Sequence, residues 1–261
     1  MRFDELEKER QRNRCLAQEK FSEIISAIQK CIDTQHKYVE LFYGFLGKRH
    51  LTQHRDAETP IVSAVVKNEI ALYSSFILTI DGLYGSGLAQ LRSVYEALMI
   101  AKFASLGQSN NFISKWIAGE TIYFSNAILK KIVAPEMKEM RVLWKTLCQV
   151  SHATIYSYQV VTRFEEIENK VSGNLGILVM LLACNLHLIN KHYVTNSMVY
   201  LAKTYHSHEG EFQRRRDAAK NAVQVATTFL SVQGRQVVRE YSRVWQLASS
   251  ITSSHNRAAD S

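Results

Sequence analysis

Apolar residues recur along most of this 261-residue chain at three- and four-residue steps, the mark of amphipathic helices, without the sustained alternation of strands. Phe21, Ile25, Ile28, Ile32, Val39, Tyr43 and Leu46 form one such stripe, which predicts a long helix over about residues 4–46. Its first three turns are dense in charge and are expected to project into solvent or toward a partner. A polar connection from Gly47 ends at Thr59-Pro60, a capping threonine followed by a residue whose φ is already helical. The helix predicted from there to Asp81 carries Val62, Val66, Tyr73, Phe76, Ile77 and Ile80 on one face, with Glu69 in the middle of it.

A short glycine-rich turn leads into Ser86–Gly107, the stretch around which the chain is organised. Ser86 is expected as its N-cap and Gly107 as its C′ residue. Leu88, Leu91, Tyr95, Leu98, Met99 and Phe103 make a broad apolar arc, with Gln90, Ser93, Ala97 and Ala101 opposite. Arg92 falls inside the arc and Glu96 at its edge, the reverse of what a surface helix does with charge. Drawing an ion pair toward apolar surroundings gives little net stability, so this pair asks for another reason. A third helix, from near Ser109 to Val133, places Glu120 in an arc with Phe112, Trp116, Tyr123, Phe124 and Ala127. Short connections favour antiparallel neighbours. Glu69, Arg92, Glu96 and Glu120 are thus expected as a buried charge network across three helices, fixing their register.

Beyond Pro135 a shorter helix carries Met140, Leu143, Trp144 and Leu147 and ends near Ser151-His152; the segment after it is expected to be extended or irregular. A helix over about 174–204 brings Asn185, His192 and Asn196 to an apolar face. The last, over about 209–249, buries Phe212, Ala219, Val223, Leu230, Val237, Tyr241 and Trp245. The expected architecture is all-α, a bundle of six to seven helices. Residues 1–58 supply the long first helix and a loop, 59–205 the helical core, 206–250 an amphipathic helix packed on it, and 251–261 a disordered tail.

Composition adds three points. The formal net charge of +8 admits a polyanionic partner. Arg214, Arg215, Arg235, Arg239 and Arg243 on the last helix form the best nucleic-acid-binding surface, for RNA or DNA. Four cysteines without paired spacing read as reduced thiols rather than a disulfide framework or zinc site. The charged N-terminus and a longest apolar run of Leu175–Ile189, broken by Asn185 and His187, point to a cytoplasmic chain without a membrane span.

Candidate chemistry is sparse. Glu69, Glu96 and Glu120 lack the histidine three residues on that di-iron bundles supply, and no phosphate loop, nucleophile elbow or HExxH occurs; neither metal nor cofactor is expected. His152, following a helix end among apolar residues, is a candidate acid–base group or a structural cap.

The order LRSVYEALMIAKF, KWIAGETIYFSNAIL, LWKTLCQVSHA resembles uncharacterised bacterial helical families distantly related to the HEPN superfamily, over roughly residues 60–190. Those families show Arg-x-x-x-Glu on one helix and a histidine after a later one, matched here by Arg92, Glu96 and His152. The resemblance implies a HEPN-like core and a component of an antiphage-defence or toxin–antitoxin module, with RNA cleavage or a protein-interaction role; antiparallel packing of exposed long helices points to a homo-oligomer. The catalytic members carry a helical Arg-x(4–6)-His; the match here, Arg49 to His54, falls in a predicted loop. A metal-independent ribonuclease using Arg92, Glu96 and His152 is the alternative the resemblance implies. A small-ligand sensor with a charged pocket is the other reading of the residues.

Overall fold

The computed structural model describes residues 3–46, 58–105, 110–120, 138–151, 167–189, 209–232 and 234–241, with Phe124 and Ile128 besides. Every regular element among them is helical, so the all-α expectation holds. In chain order these are α1 (Phe3–Leu46), α2 (Glu58–Ile80), α3 (Tyr84–Ser105), α4 (Asn110–Ile117), α5 (Lys138–Ser151), α6 (Ile167–Ile189) and α7 (Glu209–Thr228). A further helical stretch covers 234–241.

The core is one cluster that draws on α1, α2, α3, α5, α6, α7 and 234–241. The six residues of the predicted α3 arc are all buried, and Ala97 and Ala101, expected on the opposite side, are buried as well. From Val94 onward α3 is therefore a core helix enclosed on most sides, not a one-sided surface helix. Its small residues permit that, because alanine lets a neighbouring helix approach closely where leucine would hold it off. α6 is the other inner helix: Val171, Leu175, Leu178 and every residue from Leu181 to Leu186 are buried, against α1, α2, α3 and α7. It starts at Ile167, seven residues before the expected Asn174.

α2 and α3 pack antiparallel across a turn that is short because both sides of it are specified. The N–H of Gly82 donates to Thr79 O at 3.2 Å and that of Leu83 to Leu78 O at 2.8 Å, a Schellman closure with Gly82 at φ +83°. The same closure ends α4: Gly119, at φ +73°, donates to Trp116 O and Glu120 to Lys115 O. The expected third helix is thus broken at Gly119, and Ser86, expected as a cap, lies inside the first turn of α3, which begins at Tyr84. Gly87 sits at the α2–α3 crossing. A Cβ there would stand 2.9 Å from Thr79 Oγ1 and 3.3 Å from Ser75 O, and the Ser75 hydroxyl donates to Gly87 O at 3.0 Å.

The buried face of α2 is Ile61, Ala64, Val65, Asn68, Ala71, Leu72, Ser75, Phe76, Thr79 and Ile80. Tyr73, expected inside, is 54% exposed, beside Ile70 at 66%. Large side chains misled the wheel: where helices approach closely, small and hydrogen-bonded residues line the contact. Asn68 Nδ2 accordingly donates to Asn185 Oδ1 at 2.9 Å, tying α2 to α6. Pro60–Ile80 and Glu168–Ile189 are long and apolar enough to cross a membrane by length and composition, a test that the buried core helix of a bundle also meets.

The single C-terminal helix expected over 209–249 is interrupted. Phe229 and Leu230 leave the helix after Thr228, and Ser231 restarts it, its Oγ accepting the Gly234 N–H at 3.1 Å as an N-cap. α1 also changes direction, at Phe21 (φ −125°, ψ 26°), which separates an N-terminal arm, residues 3–20, from the core-packed remainder. The arm does not project. Ala17 and Asn13 are buried, and Lys20 pairs with Glu168 of α6.

Candidate functional site: an Arg–Glu–Trp patch and a buried-acid clamp

The α3 patch grows from local spacing. Arg92 and Glu96 are one helical turn apart, so their side chains meet: Arg92 Nε donates to Glu96 Oε1 at 3.1 Å. Side-chain exposures of 24% and 30% leave both reachable from water. α5 supplies the second wall. The Arg92 guanidinium lies 5.3 Å from the centre of the Trp144 ring, a cation–π distance. Trp144 stacks on Tyr95 with centroids 5.4 Å apart and meets Phe124 at 4.6 Å. Tyr95 is fixed in turn by its hydroxyl, which donates to Met140 O at 2.9 Å. The patch is therefore held rigidly from beneath while its charged edge faces out.

Cys148, one turn beyond Trp144, completes it. Partial burial pushes its thiol pKa up, Arg92 pulls it down and Glu96 pushes it up again, so all three groups share one electrostatic neighbourhood. Ser151 ends α5, its hydroxyl turned back onto Leu147 O at 2.7 Å. His152 follows in sequence but lies outside the described residues, as do Arg49, His54, His192 and Asn196.

The expected four-residue buried charge network does not form as such. Glu69 accepts from, or pairs with, His36 of α1 at 2.5 Å, and His36 is raised above its ordinary pKa chiefly by that bond. Glu120 is exposed, carried out by the Gly119 turn. Arg92 and Glu96 are half-buried rather than buried. Of the apolar residues grouped with Glu69, Phe76 and Ile80 are buried while Tyr73 is exposed, and Glu120 lies past the end of α4. Among the basic residues of the C-terminal region, Arg214, Arg235 and Arg239 are exposed, on two helical segments rather than one continuous stripe. The Arg215 side chain and Arg243 lie outside the described residues.

A second charged site went unread in the sequence. Asp81, at the end of α2, has a side chain only 1% exposed. Arg10 Nη2 and Nε donate to its Oδ2 at 2.6 and 3.2 Å, and Arg14 Nη2 and Nε to its Oδ1 at 2.5 and 2.8 Å. Arg10 Nη1 also reaches Glu7 at 2.5 Å. Both oxygens of one carboxylate are thus taken by two guanidinium groups from the α1 arm. Beside the clamp lies a cleft of about 150 Å³ between the arm and the start of α3.

Two further buried groups were equally hidden. Glu240 is 4% exposed, and its carboxylate takes the backbone N–H groups of Met140 at 3.1 Å and Glu139 at 3.4 Å, in the first turn of α5. An anion there answers orphan donors and the positive end of the helix. Lys102 of α3 is 1% exposed, with Nζ 5.6 Å from the Tyr241 ring centre. Desolvation lowers its pKa to about 7, partly opposed by Cys184.

Fold and patch together define a class: an all-α bundle with a rigidly mounted, solvent-reachable arginine–glutamate–tryptophan surface. No family model, curated protein or solved structure matches the chain.

Proposed function

We propose that this chain is a HEPN-like helical component of a bacterial antiphage-defence or toxin–antitoxin module, cytoplasmic, acting chiefly by binding a protein partner through the Arg92–Glu96–Trp144 patch. The observation that carries this reading is the mounting of Arg92: stacked over Trp144, bonded to Glu96, and still reachable from solvent. Arginine and tryptophan on a rigid base are the residues that dominate binding energy at protein interfaces. Such a patch binds without needing a reaction. The test is protection of a bacterial host against phage by the chain with its neighbouring genes. Arg92→Ala should abolish protection and Trp144→Phe, which keeps the packing on Tyr95, should weaken it, while circular dichroism and melting temperature stay near wild type. Protection that persists in both variants sinks the reading.

The ribonuclease alternative draws on the same exposure. A sealed Arg92 could not meet a phosphate; one with 24% of its side chain exposed can. In that reading Arg92 steadies charge on a phosphorane and His152 moves the proton. Cleavage of end-labelled RNA in chelator, lost in His152→Ala with the fold retained, would favour it over partner binding alone. RNA or DNA contact through Arg214, Arg235 and Arg239 would show as affinity falling steeply with added salt.

A further inference from the structure

α2 is apolar on both sides, and only one side is covered. Its inner face is buried against α1, α3 and α6. On the outer side Val62, Val66, Ile70, Tyr73 and Ile77 follow one another at four-, four-, three- and four-residue steps, a second stripe along the same helix. Ile70 and Tyr73 at its centre are 66% and 54% exposed, and Val62, Val66 and Ile77 are partly exposed. Single exposed apolar residues need no explanation, but a contiguous row on a helix that is hydrophobic all round normally lies under something. The row is about 22 Å long at 1.5 Å per residue. Its two edges carry opposite charge. At about 100° per residue, exposed Lys67 stands about 60° to one side of Ile70 and Glu69 about 100° to the other. α1 runs antiparallel along the Glu69 edge, since Arg14 reaches Asp81 and His36 reaches Glu69. It adds Glu40, 3.4 Å from His36 and with 63% of its side chain exposed. One imidazole stands between two carboxylates, so this edge keeps a negative charge even with His36 protonated.

We propose that this row docks on the same row of a second copy of the chain, with the two α2 helices parallel about a two-fold axis that runs along them. That rotation sets the Lys67 edge of each copy against the Glu69–Glu40 edge of the other, twice over, as a self-complementary interface requires. Lys67 and Glu69 are only two residues apart, so the opposed charges stand at nearly the same level. Antiparallel pairing would instead set lysine edge on lysine edge and acid edge on acid edge. Near the axis Ile70 meets Ile70 of the second copy, and Ile77 meets Ile77. A bilayer would accept the apolar row, but it offers no fixed pair of opposite charges to the two edges. The interface uses no residue of the Arg92 patch.

The test is sedimentation velocity of the purified full chain at micromolar concentration, where twice the mass of one chain is expected. Ile70→Lys, at an exposed position, should weaken the dimer at least about tenfold while circular dichroism stays as in wild type. Lys67→Glu and Glu40→Lys should each weaken it severalfold, and the two together should restore it. Under mild oxidation Ile70→Cys and Ile77→Cys should each cross-link to itself beyond the wild-type level, which only parallel pairing allows at two sites two turns apart. A monomeric wild type overturns the proposal, and co-sedimentation of that monomer with phosphatidylcholine vesicles gives the row to lipid instead. A dimer untouched by both Ile70→Lys and Lys67→Glu overturns the location. Cross-linking at only one of the two cysteines overturns the parallel arrangement.

Discussion

The two arginine–carboxylate sites of this protein obey opposite rules. Arg92 and Glu96 meet because they are one turn apart on a helix, and both keep a quarter or more of their side chains in water. Asp81 meets Arg10 and Arg14 across about seventy residues of chain and is sealed, while the arginines remain 34% and 46% exposed. A local half-exposed pair contributes little to stability and is free to serve recognition. A sealed carboxylate must be matched by cations wherever the fold can bring them, so it dictates where the arm docks. The pair that is easiest to read in the sequence is therefore the less structural of the two.

The sharpest way to break this contrast is to remove the cations and leave the acid. Arg10→Met with Arg14→Met strands Asp81 in the interior and should lower stability more than any other change named here, seen in chemical denaturation. Asp81→Asn should cost less, because the arginines it frees can turn to water, and it should undock the arm, seen as rapid proteolysis before residue 21. Adding Asp81→Asn to the double arginine variant should restore part of the loss. If it deepens the loss instead, Asp81 is not the stranded charge.

Glu240 extends the same rule to a helix end. Glu240→Ala leaves the Glu139 and Met140 N–H groups without their carboxylate and should cost about 1–3 kcal/mol, while Glu240→Gln, which keeps an acceptor, should cost less. Equal losses in the two variants would mean that packing, not the helix start, is what Glu240 supplies.

The helices of the core were legible because their apolar spacing is local: all six arc residues of α3 are buried as the wheel required. The start of α5 is not legible in the same way, because what caps it, Glu240, lies a hundred residues downstream. The same holds for Asp81, which ends a helix pattern like any capping residue until α1 is folded against it. Glu69 was misplaced for a different reason. Apolar bulk does not equal burial here, because the inner face of α2 mixes Ala64, Asn68, Ala71, Ser75 and Thr79 with Ile61, Val65, Leu72 and Phe76. Sequence spacing finds faces, and it cannot say which face of a doubly apolar helix is the close one.

Lys102 carries the comparison to a buried cation. Its folded pKa of about 7 lies below the unfolded value near 10.5. Between those two the unfolded chain holds a proton that the native chain does not, so the contribution of Lys102 to stability rises with pH over that window. Below about pH 7 both states are protonated and the cost of the buried ammonium is present in full. The buried thiol Cys31, raised to about 12, acts in the opposite sense above the unfolded thiol pKa, so the quantity to measure is a difference. The stability of wild type minus Lys102→Met should increase between pH 7 and pH 9. A flat difference would mean that Lys102 stays charged in the fold.

The smallest expected effect on stability belongs to the most informative substitution. Arg92→Ala removes an i,i+4 pair worth about 0.5 kcal/mol and a partly exposed contact with Trp144 of about the same size, so the loss should stay near 1 kcal/mol. Glu96→Gln should cost still less. If Arg92 serves recognition, these changes leave the melting curve almost in place while removing phage protection. Trp144→Phe, which keeps the stack on Tyr95 but weakens the cation–π contact, should fall between wild type and Arg92→Ala in protection. A loss of several kcal/mol in Arg92→Ala would place this pair in the same category as the Asp81 clamp. The patch would then be a helix-register device, and the outward face of α3 and α5 would need another explanation for its arginine.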